Sequence, residues 1–385
     1  MATVNETIFD IFVRRQLYLI NYANNLSKES GKLLKNTDEK AEQLLLFYAT
    51  KLEGIPITSP RYKSTVNKLL KELTKLRAPA YRALRTTLPD EMLELSQIEA
   101  IFAATTISNS LPLAEPLEFK QPKKDDLKQT VKDITLPQGQ TIDESIEELE
   151  NLDAKRMTTQ LSTAMRAGST PTQAVAQVKK GAIKHAKNAL STIASTSVIS
   201  VSTQARSKLY ETNKNFVKQE IFRATLDSGT TPGCIALDGN LFDVGDAGRP
   251  RIPRHYNCRS IYLPYLDPNS YWERPFDPTT EKILLSEYAK KNKLKNIKSR
   301  ADLPRGEKGT FDKFARQQRR ARIGRVPEKT DYNLFLSKQS TDFQNEVLGK
   351  KRAALYRKSG QPISKFVNGQ GKFINLDELK ARLNS

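Results

Sequence analysis

The chain has 385 residues, 63 Lys and Arg against 43 Asp and Glu, a formal net charge of +20 and two cysteines. That length exceeds what one hydrophobic core organises, so roughly two or three structural units are expected, and two cysteines exclude a disulfide-stapled secreted scaffold and point to folding in a reducing compartment. The charge predicts a surface that attracts polyanions, nucleic acid first. A membrane is not expected: no apolar run approaches the about eighteen residues of a spanning helix, and the N-terminus "MATVNETIFDIFVRRQ" lacks the basic start of an export signal.

Residues 5–53 place Ile8, Phe12, Leu19, Leu26, Leu33 and Leu34 at helical spacing, with Gly54 and Pro56 as the stop. Residues 61–107 continue the helical pattern and are expected to break at Pro79 and Pro89. The first 115 residues carry 15 basic and 13 acidic side chains, so residues 1–115 read as a nearly neutral helical N-terminal domain. The proline-rich text of residues 116–140 has no sustained period and predicts an extended linker. Residues 141–153, "TIDESIEELENLD", hold six acidic side chains above a narrow Ile142, Ile146, Leu149 stripe. They read either as a short solvated helix or as an acidic contact for the protein's own basic region or a partner. Ser169 or Thr170 followed by Pro171 then starts a long Ala, Ser and Thr-rich helix reaching about Asn213, in which His185 is an ordinary helix residue.

The period changes to two at "FVKQEIFRATLD", and "NLFDV" and "SIYLPYL" supply further short strands around a Gly- and Pro-rich loop. That chain reversal brings Cys234 close to Cys258, with His255 between them in sequence. Three side chains of this kind have four readings. Zinc takes four N or S ligands, of which Cys234, His255 and Cys258 would be three, with Asp227 or Asp238 as the nearest fourth. A Cys-His nucleophile would need an oxyanion hole, and nothing in the sequence marks one. A Cys234–Cys258 disulfide would stabilise by roughly 3 kcal/mol. The last reading is two buried thiols and a hydrogen-bonded histidine in a turn cluster, with no metal or other cofactor.

Residues 282–325 carry 15 basic and four acidic side chains, more than half of the net charge of the chain. Lys290, Lys291, Lys293, Lys295, Lys298, Arg300, Arg316, Arg319, Arg320, Arg322 and Arg325 are therefore the candidate DNA-binding residues; few aromatics interleave, which predicts non-specific phosphate contact without base readout. Residues 328–385 close the chain with Leu334, Phe335, Phe343, Val347, Leu348, Ala354 and Leu355 on helix-like faces.

"LDSGTTPGCIALDGNLF" followed by "PRHYNCRS" resembles the signature of phage head-morphogenesis or minor head proteins typified by the F protein of phage Mu, where D-x-x-T-C-x-x-C-x-x-L-D-G precedes P-x-H-x-x-C-R-C. The resemblance covers about residues 140–265. The C-terminal text from "DYNLFLSKQ" to "LDELK" is also similar to a tail seen in many of these proteins. By resemblance, Asp227, Cys234, Asp238, Gly239, His255, Cys258 and Arg259 are the motif positions, whereas Thr231 and Ser260 stand where the pattern has cysteines. The resemblance implies a non-enzymatic minor head protein of a tailed phage, assembled in the host cytoplasm and carried in the virion, with portal or capsid protein and packaged double-stranded DNA as partners. The competing readings are a metal-dependent nuclease using His255 and nearby acidic residues, and a host-directed nucleic-acid-binding factor.

The expected fold is α+β: a helical domain over 1–115, a linker over 116–140, a Mu F-like domain over 141–265 with a small antiparallel β segment around 216–265, a basic extension over 266–327 and a helical unit over 328–385.

Overall fold

The computed structural model describes residues 4–110, 118–266, 273–327 and 329–384. The chain is mostly helical with two small antiparallel sheets, an α+β fold as expected. Helix α1 (Val4–Leu52) ends just before Gly54, whose φ of +71° suits a residue without a Cβ. Helix α2 (Pro60–Ser110) returns antiparallel to it and runs unbroken through Pro79 and Pro89. The expected breaks are absent; Pro79 is exposed and Pro89 half-buried, away from the buried face of the helix. On the opposite face the buried Arg77, Ala80, Tyr81, Leu84 and Leu88 hold the helix to its neighbours.

Helix α3 (Lys124–Asp133) occupies part of the segment expected to be extended; Leu127 and Val131, one turn apart, bury against α2 and the chain's central helix. Residues 111–117 of that segment lie outside the described residues. Helix α4 (Ile142–Arg166) starts with a capping box in which the Thr141 hydroxyl accepts from Glu144 N–H and the Glu144 carboxylate accepts from Thr141 N–H. It runs well beyond residue 153, and its Ile142, Ile146 and Leu149 enter the main core. Its acidic face lies beside Arg85 of α2, with Asp143, Glu147 and Glu150 at 3.8, 3.5 and 3.5 Å. The helix therefore buries its apolar stripe in the core, and its acidic face is shared between Arg85 and solvent, with Asp143 and Glu147 more than half exposed.

Thr170 caps α5 (Pro171–Val178), and one π-helical turn (Lys179–Ile183) joins it to α6 (Lys184–Thr212). Gln160 of α4 fills the irregularity: its side chain accepts from Ala182 N–H at 2.8 Å and donates to Gln177 C=O at 3.1 Å. Helix α6 is the axis of the molecule, buried against α1, α2, α3 and α4. Because α1 and α2 close their core on α4 and α6 as well as on each other, the N-terminal hairpin shares one apolar core with the segment that follows it. Arg77 stitches this region, donating to Asp153 at 2.9 Å and Asp38 at 2.7 Å.

Strand β1 (Gln219–Arg223) is the centre of a three-stranded antiparallel sheet. Helix α7 (Pro232–Ile235) intervenes in sequence before β2 (Leu241–Asp243), and β3 (Ile261–Tyr265) completes the order β2-β1-β3. The register pairs Glu220 with Phe242 on one side and with Pro264 on the other. Next, β4 (Glu273–Phe276), α8 (Glu281–Lys291), α9 (Glu307–Ala321) and β5 (Gly324–Pro327) form the basic segment, with β4 and β5 paired and a small core of Leu284, Leu285, Tyr288, Leu303 and Phe311 between the helices. Residues 267–272 of the expected basic extension lie outside the described residues.

Helices α10 (Tyr332–Ser337), α11 (Thr341–Leu348), α12 (Lys350–Ser359) and α13 (Leu376–Asn384) build the last unit. Its core takes in Leu226 and Ile235, so the C-terminal text and the Mu F-like segment are two sides of one packing unit. At their closest approach a Cβ on Gly233 would lie 2.8 Å from the Cα of Gly371, leaving room for no side chain. No helix among the described residues is long and apolar enough to cross a membrane.

Candidate functional site

The loop between β1 and β3 is folded by its two motif aspartates. Asp227 accepts from Gly229 N–H at 3.0 Å and from the Thr230 hydroxyl at 3.1 Å, closing an Asx turn, and its two oxygens receive the Arg259 guanidinium. Asp238 accepts from Ala224 N–H at 2.7 Å and from Arg274 at 2.7 and 3.1 Å. Gly239 follows at φ +88° and donates its N–H to Phe222 C=O, which locks the turn onto β1. These two ion pairs fix the start of α7 and the strand entry at β3, and so fix the residues between them.

Cys234 on α7 and Cys258 before β3 are both buried free thiols with Sγ atoms 3.9 Å apart. His255 Nε2 lies 3.5 Å from Cys234 Sγ. Its other nitrogen, Nδ1, is 2.8 Å from Tyr256 C=O, and since a carbonyl only accepts, Nδ1 carries the proton and Nε2 faces the sulfurs. The turn from His255 to Cys258 is closed by Cys258 N–H donating to His255 C=O, with Asn257 at φ 59°, a left-handed position that Asn tolerates. The three ligand-type atoms all lie within 4.8 Å of one another.

The electrostatics follow from that contact. The hydrogen bond with Cys234 is the main influence pushing the Cys258 thiol well down, with His255 and the Ser260 backbone adding to it. The same bond, together with burial, pushes Cys234 up, and the Ser260 and Thr231 hydroxyls partly offset this by hydrogen-bonding to its sulfur. His255 is raised, chiefly by its hydrogen bond to Cys258. The shared contact thus pushes the two thiols in opposite directions, with Cys258 the more acidic of the pair.

Of the sequence-based candidates, Cys234, His255 and Cys258 converge. Asp227 and Asp238 do not join them, because each carboxylate is held by its own arginine. That also removes the carboxylates a His255-centred nuclease would use and leaves thiols as the imidazole's neighbours. Sequence reasoning missed Arg274, which lies 36 residues beyond its partner Asp238 with no local signal linking them. It noted Thr231 and Ser260 only as departures from a pattern, whereas both hydroxyls act to lower the Cys234 thiol.

In the basic segment, Lys290, Lys291, Lys293, Lys295, Lys298, Arg316, Arg320 and Arg325 are exposed, and Lys313, Arg316 and Arg320 line one shallow basic depression on α9. Three candidates have acidic partners in the fold: Arg300 with Asp312 at 2.6 Å, Arg319 with Asp277 at 2.7 Å and Arg322 with Glu287 at 2.9 Å. A composition count cannot distinguish these from free cations, because their partners come from other turns of the chain. His185 is exposed on α6 and lies outside the cysteine cluster.

No curated protein and no solved structure matches this chain. Residues 155–263, running from α4 through α6 and the cysteine cluster to β3, match the family described as Phage Mu protein F like protein.

Proposed function

We propose that the protein is a minor head protein of a tailed phage, carried in the capsid interior after assembly in the host cytoplasm, docked on portal or capsid protein and in non-specific contact with packaged double-stranded DNA. The family match supports the role in head morphogenesis. The observation that carries the finer reading is the segregation of charge. The segment over 282–325 holds a net of +11, with most of its Lys and Arg side chains exposed, while the first 115 residues are nearly neutral. A polyanion is drawn to the first surface, and a protein partner fits the second.

The DNA arm is tested by salt dependence. If about six phosphates are contacted, log affinity for duplex DNA falls against log salt with a slope near about −5. Replacing Lys313, Arg316 and Arg320 together by Gln is expected to make that slope shallower by about 2.5. Replacing Arg319 and Arg322 should leave the slope unchanged, since their charges are spent on Asp277 and Glu287. An unchanged slope in the triple variant would assign this face to an acidic protein surface instead.

The partner arm rests on the helical hairpin. Leu17 and Tyr18 of α1 are 60% and 52% exposed, and Ile98 and Ile101 of α2 are 44% and 55% exposed. The Arg15–Glu99 ion pair places these turns side by side. Leu17→Glu with Ile101→Glu leaves the core untouched, so the variant should fold and bind DNA normally yet fall at least about tenfold in copies per purified particle, as expected when an apolar contact centre is charged. Wild-type incorporation would move the docking surface elsewhere on the molecule.

A further inference from the structure

We propose that Cys234, His255 and Cys258 form a three-ligand zinc site that clamps α7 to the entry of β3, with solvent as the fourth ligand. The argument begins with distances. A tetrahedral zinc with bonds of about 2.3 Å to sulfur and about 2.0 Å to nitrogen separates two sulfur ligands by about 3.8 Å and a sulfur and a nitrogen by about 3.5 Å. The two thiols lie 3.9 Å apart and Cys234 lies 3.5 Å from His255 Nε2. Two edges of that tetrahedron are thus already in place, and the third pair, His255 and Cys258, lies within 4.8 Å.

Three further features fit a metal better than a packed turn. The His255 Nδ1–H is anchored on Tyr256 C=O, which orients Nε2 inward, as the outer hydrogen bond of a metal-bound imidazole does. Two thiolates neutralise a dication, so the loaded site adds no net charge to a buried place. The carboxylates close in sequence are held away by Arg259 and Arg274, leaving a soft S, S, N donor set that selects zinc over magnesium or calcium. A metal here would also have a structural consequence. Cys234 follows Gly233, the point where the C-terminal unit meets α7 backbone to backbone, so the clamp holds the platform on which that unit docks.

Thr231 and Ser260 flank the two cysteines in sequence and both hydroxyls act to lower the Cys234 thiol, so a sulfur placed at Ser260 is expected to come within reach of the same ion. This gives a gain-of-function test alongside the loss-of-function one. The full-length, reduced protein is titrated with Co2+ as a spectroscopic probe and then with Zn2+ in competition, and its zinc content as purified is measured by elemental analysis. The expected result is one metal per chain, a thiolate-to-cobalt charge-transfer band with tetrahedral visible absorption, and displacement by zinc. Cys258→Ser should lose the band, and Ser260→Cys should tighten zinc binding at least about tenfold by completing a four-ligand site. If Cys258→Ser fails to fold, the comparison of the wild type with Ser260→Cys decides. Absence of the band in the reduced wild type, its persistence in folded Cys258→Ser, or no tightening in Ser260→Cys would each overturn the site.

Discussion

Asp238→Asn is expected to destabilise the protein by about 3–5 kcal/mol, more than Arg274→Met does, although the two side chains form one ion pair. Arg274 is 2% exposed and donates to both Asp238 oxygens and to Thr330 C=O, joining the motif turn to β4 and to the start of the C-terminal unit. A second guanidinium, Arg223, is also buried beside them. It is pushed down to about 10, first by burial and then by the positive charge of Arg274, with Asp238 working in the opposite direction. Asp238 therefore pairs with Arg274 and also acts on Arg223. Removing Arg274 deletes a repulsion as well as an attraction, and Asp238 keeps Arg223 and the Ala224 N–H. Neutralising Asp238 leaves Arg274 buried without its carboxylate and removes an attraction that opposes the repulsion between Arg274 and Arg223. Chemical denaturation of both single variants and the double variant gives the cycle, and an Asp238→Asn cost below that of Arg274→Met would show that Arg223 draws no stabilisation from this carboxylate.

The parts of this molecule legible in its sequence are those set by neighbours along the chain. The α1 stop at Gly54, the Thr170 cap before Pro171 and the period-two text of β1 are all decided within a few residues, and each is found as read. The convergence of Cys234, His255 and Cys258 was legible because turn-forming glycines and prolines bring the chain back, although the arginines that hold that return, Arg259 and Arg274, lie far along the chain from their aspartates. What sequence could not supply was the balance between local preference and tertiary burial. Two prolines cost α2 hydrogen bonds, but its buried face is long enough to outweigh them. In α3 only Leu127 and Val131 signal a helix, too few to establish a period, and their burial decides the matter. The acidic run at the start of α4 invited a search for a distant basic partner, while the partner was Arg85, a single arginine on an adjacent helix. Long-range ion pairs also divide the basic segment into spent and free cations. Arg319 and Arg320 are neighbours in sequence, yet only Arg319 points at an aspartate.

The same logic gives the other large effect, at the far end of the core. Glu99 of α2 is fully buried and receives Arg15 of α1 at 2.6 Å and Arg206 of α6 at 2.9 Å, so one carboxylate joins three helices. Around it the rings of Phe12 and Phe102 cover the guanidiniums, with Arg206 5.0 Å from the Phe12 centroid and Arg15 4.8 Å from that of Phe102, and the buried Arg206 has little water to replace a lost partner. Glu99→Gln keeps the shape and removes the charge, leaving Arg206 buried and Arg15 half-buried without an anion; a loss of about 3–5 kcal/mol is expected. Because the triad ties the hairpin to α6, the damage should be local at first, with limited proteolysis releasing the α1–α2 hairpin before the Mu F-like segment is cut. Replacing all three charges together, as Arg15→Met, Glu99→Leu and Arg206→Met, should recover most of the stability, since an apolar triad of similar volume carries no desolvation penalty. If the triple variant is as unstable as Glu99→Gln, the network stabilises by its own attraction and not merely by mutual compensation. If Glu99→Gln costs less than about 1 kcal/mol, the two arginines have another anion or solvent within reach, and the three-helix junction is looser than its buried carboxylate implies.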